Sequence, residues 1–391
     1  MNTTKLPPIR IALAGLGKMG LSHQAIINMH PALDLVAVCD PSTYLLDLVG
    51  RYTRVPTFSD YACMLDQAQP EALVIATPSR LHEAMVRAAL ERGIDVFCEK
   101  PFCLDVKEGA RLVTLAEARS LVTQVGYHNR FLGTFIEARR MLAASAIGRV
   151  HHASVECYGP VMLRPKGRTW RTSRIEGGGC LYDYACHGID LLNFLIGTPN
   201  SVSGSVLRSV FSALTDDEVY ANLAYPDGVT AQLSANWSDE SHRKMSTTVT
   251  LWGTNGKIEA SRQELTIYLR KPVPQLSSLC QGWNTLYTTA LTKPVWYYLR
   301  GEEYSAQIDF FVDAIRQRRV DNHCNFRSGH ATDIVADMIR RDAADSDRVG
   351  GGVAPAAGAV APARWGRALQ AIGAAVRDAP GAAAKTLKGN P

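Results

Sequence analysis

Over the first third of the chain, short unbroken apolar runs alternate with longer segments whose apolar residues recur every three or four positions. Ile9–Ala14, the run LDLVAVCD at 33–40, and the segments 72–76, 95–98 and 122–126 have the length and composition of buried strands. Between them the periodicity predicts helices, including one over 81–92 and one ending at Arg119. Strands separated by helices of this length predict an α/β fold with a parallel, doubly wound sheet. Its ligand site is expected at the carboxyl ends of the strands.

Past Phe131 the pattern changes. A helix over 134–143 leads into β-rich segments at 151–158, 201–210, 219–225, 230–237, 247–252 and 257–260, several of which alternate polar and apolar residues. Tyr225-Pro226-Asp227-Gly228 and Gly253-Thr254-Asn255-Gly256 have hairpin-turn compositions. The second part is therefore expected to be an α+β domain with a large open, mainly antiparallel sheet, one face on a core and the other free. Helices over 304–316 and 331–341 close it. The run 282–301 is crowded with large aromatics and has no clean period. It reads as a packed excursion near the ligand end or an oligomer contact, with plain core packing as the alternative. Domains are thus expected at 1–128 and 129–347, followed by an Ala/Gly/Pro-rich, flexible tail over 348–391.

The first strand runs straight into GLGKMG at 15–20 and then a helical pattern. In that order Gly15 makes the tight turn, Gly17 lets a pyrophosphate approach the backbone, and Gly20 permits close helix–strand packing, while the helix N-terminus faces the phosphates. The second strand ends in Asp40 at the distance the dinucleotide fingerprint requires. An acid there hydrogen-bonds the adenosine ribose and repels a 2′-phosphate, and Asp40-Pro41-Ser42 has no adjacent arginine, so NAD is preferred to NADP. Thr77, Pro78, Glu99, Lys100, Pro101, Tyr127, His128 and Asn129 fall at the other strand ends.

A second concentration of chemistry lies at 176–192, EGGGCLYDYACHGIDLL. On a helical period Asp183, His187 and Asp190 share one face, opposite Leu181, Tyr184, Ala185, Leu192 and Leu195. Gly177, Gly178 and Gly179 suit a close approach to a ligand or another backbone. The competing interpretation is a surface helix with a solvated polar stripe.

Composition narrows the classes. A length of 391 residues suits two domains, and 46% apolar with 20% charged residues describes a soluble globular protein. The nine cysteines form no C-x-x-C pair, which points to reduced, mostly buried thiols and no metal site. No apolar run reaches membrane-spanning length and the N-terminus has no signal-like h-region, so a cytoplasmic location and no membrane partner are expected. The net charge of +5 is mostly in the tail, where Arg364, Arg367, Arg377, Lys385 and Lys388 face only Asp378. A near-neutral folded part lacks the electrostatic footprint of a nucleic-acid binder. In the tail, Trp365, Leu369, Ile372 and Val376 share a helical face beside the arginines, a pattern that could touch a membrane surface or partner, against disorder as the default.

GLGKMG, Thr77-Pro78 with His82 behind it, Glu99-Lys100-Pro101, Gly126-Tyr127 with Arg130-Phe131, Trp170-Arg171, and GGG-x-L-x-D-x-x-x-H-x-x-D together resemble the glucose–fructose oxidoreductase / inositol dehydrogenase / MocA-type oxidoreductases, from Ile9 to about Asp345. The resemblance implies an N-terminal Rossmann domain that binds NAD and a catalytic set of Lys100, Asp183 and His187. It also places Gly15, Gly17, Lys18, Met19, Gly20, Asp40, Thr77, Pro78, His82, Glu99, Lys100, Asn129, Trp170 and Arg171 around the cofactor. Subunits are expected to pair, as a homodimer or homotetramer, through the open face of the second sheet. One departure is Ala185, where the family often has glycine.

The reaction expected from this set is reversible oxidation of a secondary alcohol on a sugar, cyclitol or nucleotide-sugar. His187 is suited to take the hydroxyl proton near neutral pH. Asp183 orients the imidazole or binds a neighbouring hydroxyl, and Lys100 supplies positive charge where alkoxide develops. Lys100 as the base remains an alternative if desolvation lowers its pKa. An NAD-dependent glycosidase and a non-catalytic NAD-binding regulator are the rival functions.

Overall fold

The computed structural model describes residues 6–161 and 169–349. The first sheet is built from β1 (Ile9–Ala14), β2 (Leu33–Cys39), β3 (Thr57–Phe58), β4 (Ala72–Ile75), β5 (Asp95–Cys98) and β6 (Thr123–Val125). All its pairings are parallel and its order is β3-β2-β1-β4-β5-β6. The order reverses between β1 and β4, which opens a crevice at their carboxyl ends. Helices α1 (Lys18–Met29), α2 (Thr43–Thr53), α3 (Tyr61–Ala68), α4 (His82–Glu91) and α5 (Val106–Ala118) supply the crossovers. Both faces of this sheet are covered, so β4 and β5 are buried at every position, as strands between two helical layers must be.

The second sheet contains β7 (Val150–Tyr158), β8 (Ser201–Arg208), β9 (Glu218–Ala224), β10 (Thr230–Asn236), β11 (Ser246–Gly253), β12 (Gly256–Ala260), β13 (Glu264–Leu269) and β14 (Gly282–Tyr287), in the order β14-β13-β12-β11-β7-β10-β9-β8. Only β7 and β10 are parallel, and both hairpins expected from composition close antiparallel pairs. Its inner face, with Ala153, Val155, Leu233, Val249 and Ile267, packs on α6 (Gly133–Ala143) and α7 (Cys186–Ile196). Gly188 lets α7 lie directly on the sheet, since a Cβ there would stand 3.0 Å from Leu233 and 3.1 Å from Cys157 and Val155. The outer face mixes threonine, serine and charged side chains with the aromatics Tyr158, Tyr220, Trp252, Tyr268, Trp283 and Tyr287.

Two features differ from the sequence expectation. The aromatic run 282–301 contains the edge strand β14 and the short helix α8 (Thr288–Leu291). At an edge, a strand buries only one side, and alternating large aromatics disguised the two-residue period. The second is α9 (Glu302–Arg316), expected to close the second domain. Its Ile308, Phe311 and Val312 lie in the same core as Ile11, Ile26 and Phe97 of the first sheet. Periodicity specifies that a helix has an apolar face and says nothing of which core receives it. The last helix, α10 (Phe326–Val349), contributes to both sides: Phe326 packs under β5 and α5, and Val335, Ala336 and Ile339 under the second sheet. The proposed tail segment with Trp365, Leu369, Ile372 and Val376 lies outside the described residues. No helix among the described residues is long and apolar enough to cross a membrane.

Candidate active site

At the end of β1 the backbone must turn sharply against its neighbour. Gly15 adopts φ +93, and a Cβ there would stand 2.7 Å from the Ala76 carbonyl oxygen. A Cβ on Gly20 would stand 1.8 Å from the Gly15 oxygen, so helix and strand touch only because both residues are glycine. Gly17 faces open space, and no side chain caps the start of α1. Exposed backbone N–H groups at the positive end of a helix suit an anionic diphosphate. Lys18 and Met19 begin that helix, Lys18 exposed and Met19 partly buried against the first core.

Asp40 follows β2 and is tied to the same turn. The Leu16 N–H donates to its Oδ2 at 2.7 Å and the Ser42 N–H to its Oδ1 at 2.9 Å. Both carboxylate oxygens are thus held by backbone N–H groups beside the glycine turn.

Three strand-end loops meet next to it. His82 is buried, with Nδ1 2.8 Å from the Pro101 carbonyl and Nε2 3.0 Å from the Thr77 carbonyl. Burial lowers its pKa, so the neutral ring donates to one of these oxygens at a time and links the two loops from inside. Pro78 precedes the turn Ser79–Leu81 that leads into α4. Glu99 is buried beneath Gly126, where a Cβ would stand 2.9 Å from its carboxylate, and its Oε1 lies 2.7 Å from His23 Nε2 on α1. Although burial opposes its charge, His23 and then Lys100 hold the Glu99 carboxyl below its usual range. Asn129, in the turn His128–Phe131, is buried with Nδ2 lacking a partner among the described residues.

The second half of the site arrives from the segment entering α7. Gly178 fits only because it lacks a Cβ, which would stand 2.3 Å from the Arg171 carbonyl oxygen, so its close approach is to the chain's own backbone at Trp170 and Arg171, while Gly177 meets Leu104 and Ser79 and Gly179 meets Asp216. Residues Leu181–Ala185 form a π turn in which the Cys186 N–H donates to the Leu181 carbonyl. Such turns occur often at functional sites because they re-aim side chains out of register with the helix. Here it places Asp183 against the first domain. Lys100 Nζ donates to the Asp183 carbonyl at 2.8 Å and to its Oδ1 at 3.1 Å. Arg171 Nε donates to Oδ2 at 2.7 Å, with its guanidinium 4.7 Å from the Trp170 ring.

Asp183, His187 and Asp190 are all buried, at 3%, 3% and 0% exposure. This rules out the solvated stripe. It also corrects the single functional face expected from the helical period. The π turn breaks the register between Asp183 and His187. Asp190 points to a different partner, Arg130, whose Nε and terminal nitrogen bind its two oxygens at 2.6–3.1 Å, and Arg130 reaches on to the His323 carbonyl and Ser328. Asp190 is thus a packing acid that fixes α7 to the 128–131 turn.

The titration behaviour separates roles. Burial opposes charge on Lys100, yet the Cys186 sulfur and the Asp183 carboxylate beside it hold its ammonium above the ordinary lysine range. Cys186 itself is pushed up to about 12, chiefly by burial, so it is a thiol and the operative anion is Asp183. Asp183 is also opposed by burial, but Lys100 and Arg171 keep it below the usual carboxylate range. His187 is held well below 6.5, first by burial and then by the charge of Lys100. Its Nδ1 has no partner among the described residues. The site therefore gathers a neutral imidazole from α7, an ammonium from the loop after β5 and a carboxylate from the π turn before α7. Sequence reasoning brought Lys100, Asp183, His187 and Arg171 forward, and the structure brings Lys100, Asp183 and Arg171 into contact. It missed the buried His23 and the ring contacts of Tyr127 and His128 to His187, although Gly126-Tyr127 and Arg130 already stood out in the motif.

Residues 9–127 match the oxidoreductase family with an NAD-binding Rossmann fold, and residues 135–259 match the GFO/IDH/MocA C-terminal domain. A putative UDP-kanosamine synthase oxidoreductase subunit of Amycolatopsis mediterranei is 27% identical, over 77% of this chain and 86% of that protein. Inositol 2-dehydrogenase 4 of Saccharopolyspora erythraea is 33% identical, but over 48% of this chain and 54% of that protein. Among solved structures, levoglucosan dehydrogenase in complex with NADH and levoglucosan superposes with a TM-score of 0.75 at 23% identity, covering 86% of this chain and 98% of that one.

Proposed function

For a chain that belongs to the GFO/IDH/MocA oxidoreductase family and carries its NAD-binding Rossmann domain, we propose oxidation of a secondary alcohol on a sugar, cyclitol or nucleotide-sugar, with His187 as proton acceptor. The observation that carries this reading is the contact of Lys100, in the loop after β5, with Asp183 near a buried, neutral His187 at the crevice. The names of the relatives, which concern an amino-sugar nucleotide, inositol and levoglucosan, support a polyhydroxylated ring as substrate.

The residues around the glycine turn fit a dinucleotide: Gly15, Gly17, Lys18, Met19 and Gly20 would hold the diphosphate and Asp40 the ribose, with Thr77, Pro78, Glu99, Asn129, Trp170 and Arg171 lining the path to the crevice. His82 supports that path from behind. When bound, NAD⁺ supplies the hydride acceptor. Loss of hydride from the carbinol carbon requires loss of the hydroxyl proton, and the neutral imidazole of His187 is already in the protonation state that accepts it. Lys100, held as an ammonium by Asp183, donates a hydrogen bond where negative charge grows on the oxygen. Its hydrogen bonds to the Asp183 carbonyl and carboxylate favour this charged-donor role over that of base. Arg171 keeps the second Asp183 oxygen engaged, so the carboxylate stays aimed at Lys100. A panel of free sugars, cyclitols and nucleotide-sugars with NAD⁺, followed by NADH absorbance, tests the reading; no NADH from any class would refute it.

Cofactor preference should follow Asp40. NADP(H) is expected to bind at least about tenfold more weakly than NAD(H), equivalent to only about 1.4 kcal/mol, and Asp40→Ser should narrow the gap. Fluorescence titration with both cofactors checks this. Equal affinities in the unchanged protein would mean that a basic residue compensates for Asp40.

We also propose domains over 1–128 and 129–347, with α9 returning to the first, and a cytoplasmic homodimer or homotetramer joined through the outer face of the second sheet. The aromatic side chains on that face support the assembly, since contiguous exposed apolar patches mark interaction sites. Light scattering should give two or four copies, and Trp252→Asp should shift the protein toward the monomer. A monodisperse monomer before mutation would refute the assembly.

A further inference from the structure

The orientation of His187 needs an explanation, because Nδ1, the nitrogen that an acid or carbonyl usually holds in a catalytic histidine, has no partner among the described residues. Rotation of an imidazole about its last side-chain bond is broad and nearly two-fold, so an unanchored ring can exchange its two nitrogens. The contacts that remain are aromatic. His128 meets His187 edge to face, with ring centroids 4.9 Å apart at 71°, and Tyr127 does the same from another side at 6.0 Å and 88°. The opposite side of this assembly is equally ordered. His128 stacks on Tyr304 at 4.8 Å and 16°, and the Arg300 guanidinium lies 5.2 Å from the Tyr304 ring.

Tyr304 is itself held. It occupies the first turn of α9, where neighbouring Glu303 is fully buried against Arg262 and Ser305 Oγ donates to the Tyr297 carbonyl. Since α9 packs into the first domain's core through Ile308 and Phe311, the ring of Tyr304 is fixed relative to the strand ends that carry Lys100. His128 is 9% exposed and carries no charge at neutral pH, so it acts on His187 through shape.

We propose that His128 and Tyr304 are positioning residues: Tyr304 holds the His128 ring by stacking, and His128 fixes the ring of His187 by its edge-to-face contact, in place of the hydrogen bond an acid would supply. Helix α9, which follows the second sheet and returns to the first core, thereby sets the geometry of the proton acceptor. This inference rests on His187 being that acceptor.

The test compares His128→Ala with His128→Phe. Misplacement of a reacting group by about 1 Å can cost about a hundredfold, so His128→Ala should lower kcat by about tenfold to a hundredfold with NAD affinity and substrate KM nearly unchanged. His128→Phe keeps a flat ring at the same place and should return most of the lost rate. Tyr304→Ala should resemble His128→Ala, and the double variant should be little worse than either. A rise in NAD Kd at unchanged kcat would instead make His128 a cofactor contact, and a Phe variant as slow as the Ala variant would exclude stacking as the cause; either result overturns the proposal. One readout does not depend on turnover. In ¹⁵N-histidine spectra, assigned by the loss of signal in His187→Ala, the His187 ring should give one sharp set in the unchanged protein and an averaged one in His128→Ala. An unchanged His187 spectrum in His128→Ala overturns the proposal, whereas full activity of His187→Ala would defeat the underlying assignment of the acceptor and leave the ring contacts to be judged by the spectra alone.

Discussion

Replacing His187 with alanine is expected to lower kcat by about 10²–10⁴-fold, the usual range for removing a general acid or base, while NAD binds nearly as before. The two effects separate because the groups proposed to hold the cofactor lie around Gly15–Gly20 and Asp40, and His187 is on α7. Lys100→Met should also slow turnover, and the double variant should lose less than the sum of the two, because both groups act on one developing oxyanion. The pH dependence carries a sign. A proton acceptor must be neutral, and burial holds the His187 pKa well below 6.5, so the rate of alcohol oxidation should stay level as pH falls through 6.5 and decline only below it. An acid limb near 6.5 that is absent from His187→Ala would mean that the imidazole is solvated during turnover. Equal loss of rate and of NAD binding in His187→Ala would mark a structural role for α7.

The largest loss of stability is expected at Arg130. Its guanidinium and the Asp190 carboxylate are 3% and 0% exposed and satisfy each other through three hydrogen bonds. Arg130→Met leaves a buried carboxylate supported, among the described residues, only by the Thr332 hydroxyl at 3.4 Å, a defect that typically costs about 3–5 kcal/mol. Replacing both partners, as in Arg130→Met with Asp190→Leu, removes the uncompensated charge and should recover a large part of that loss. Urea unfolding of the two variants measures the difference. A cost below about 1 kcal/mol for Arg130→Met, the range of exposed pairs, would mean that water reaches Asp190 in solution.

These two residues also show where sequence reasoning ends. The glycine turn was legible because its steric demands are local: Gly15 and Gly20 meet atoms whose positions follow from a strand turning into a helix. Asp40 was legible from its place at the end of β2. Asp183 and His187 could be found together because they stand four positions apart, but their neighbour Asp190 was grouped with them wrongly. Its partner Arg130 is distant in the chain, and no period records such a pairing. The π turn at Leu181–Ala185 was hidden for a related reason. Its Asp183 contacts Lys100, 83 residues away in the chain, and such a contact leaves no mark on a local period. The same holds for α9 and Tyr304, whose apolar face was visible and whose destination was not. Strand β14 was obscured because its outward positions carry Trp283 and Tyr287, exposed at 63% and 58%, so polarity did not mark its free side.

The central claim is that this crevice moves a hydride from a carbinol carbon to NAD⁺ while His187 takes the proton. The most direct measurement uses a substrate from the panel deuterated at that carbon, with the mass of the NADH released followed over time in the unchanged protein and in His187→Ala. The account expects one deuterium in each NADH formed, in step with ketone, and a much slower release of the same labelled NADH from the variant. Product formed with no NADH released and the deuterium still on the sugar, as an NAD-retaining glycosidase would give, or labelled NADH formed by His187→Ala at the unchanged rate, would contradict it.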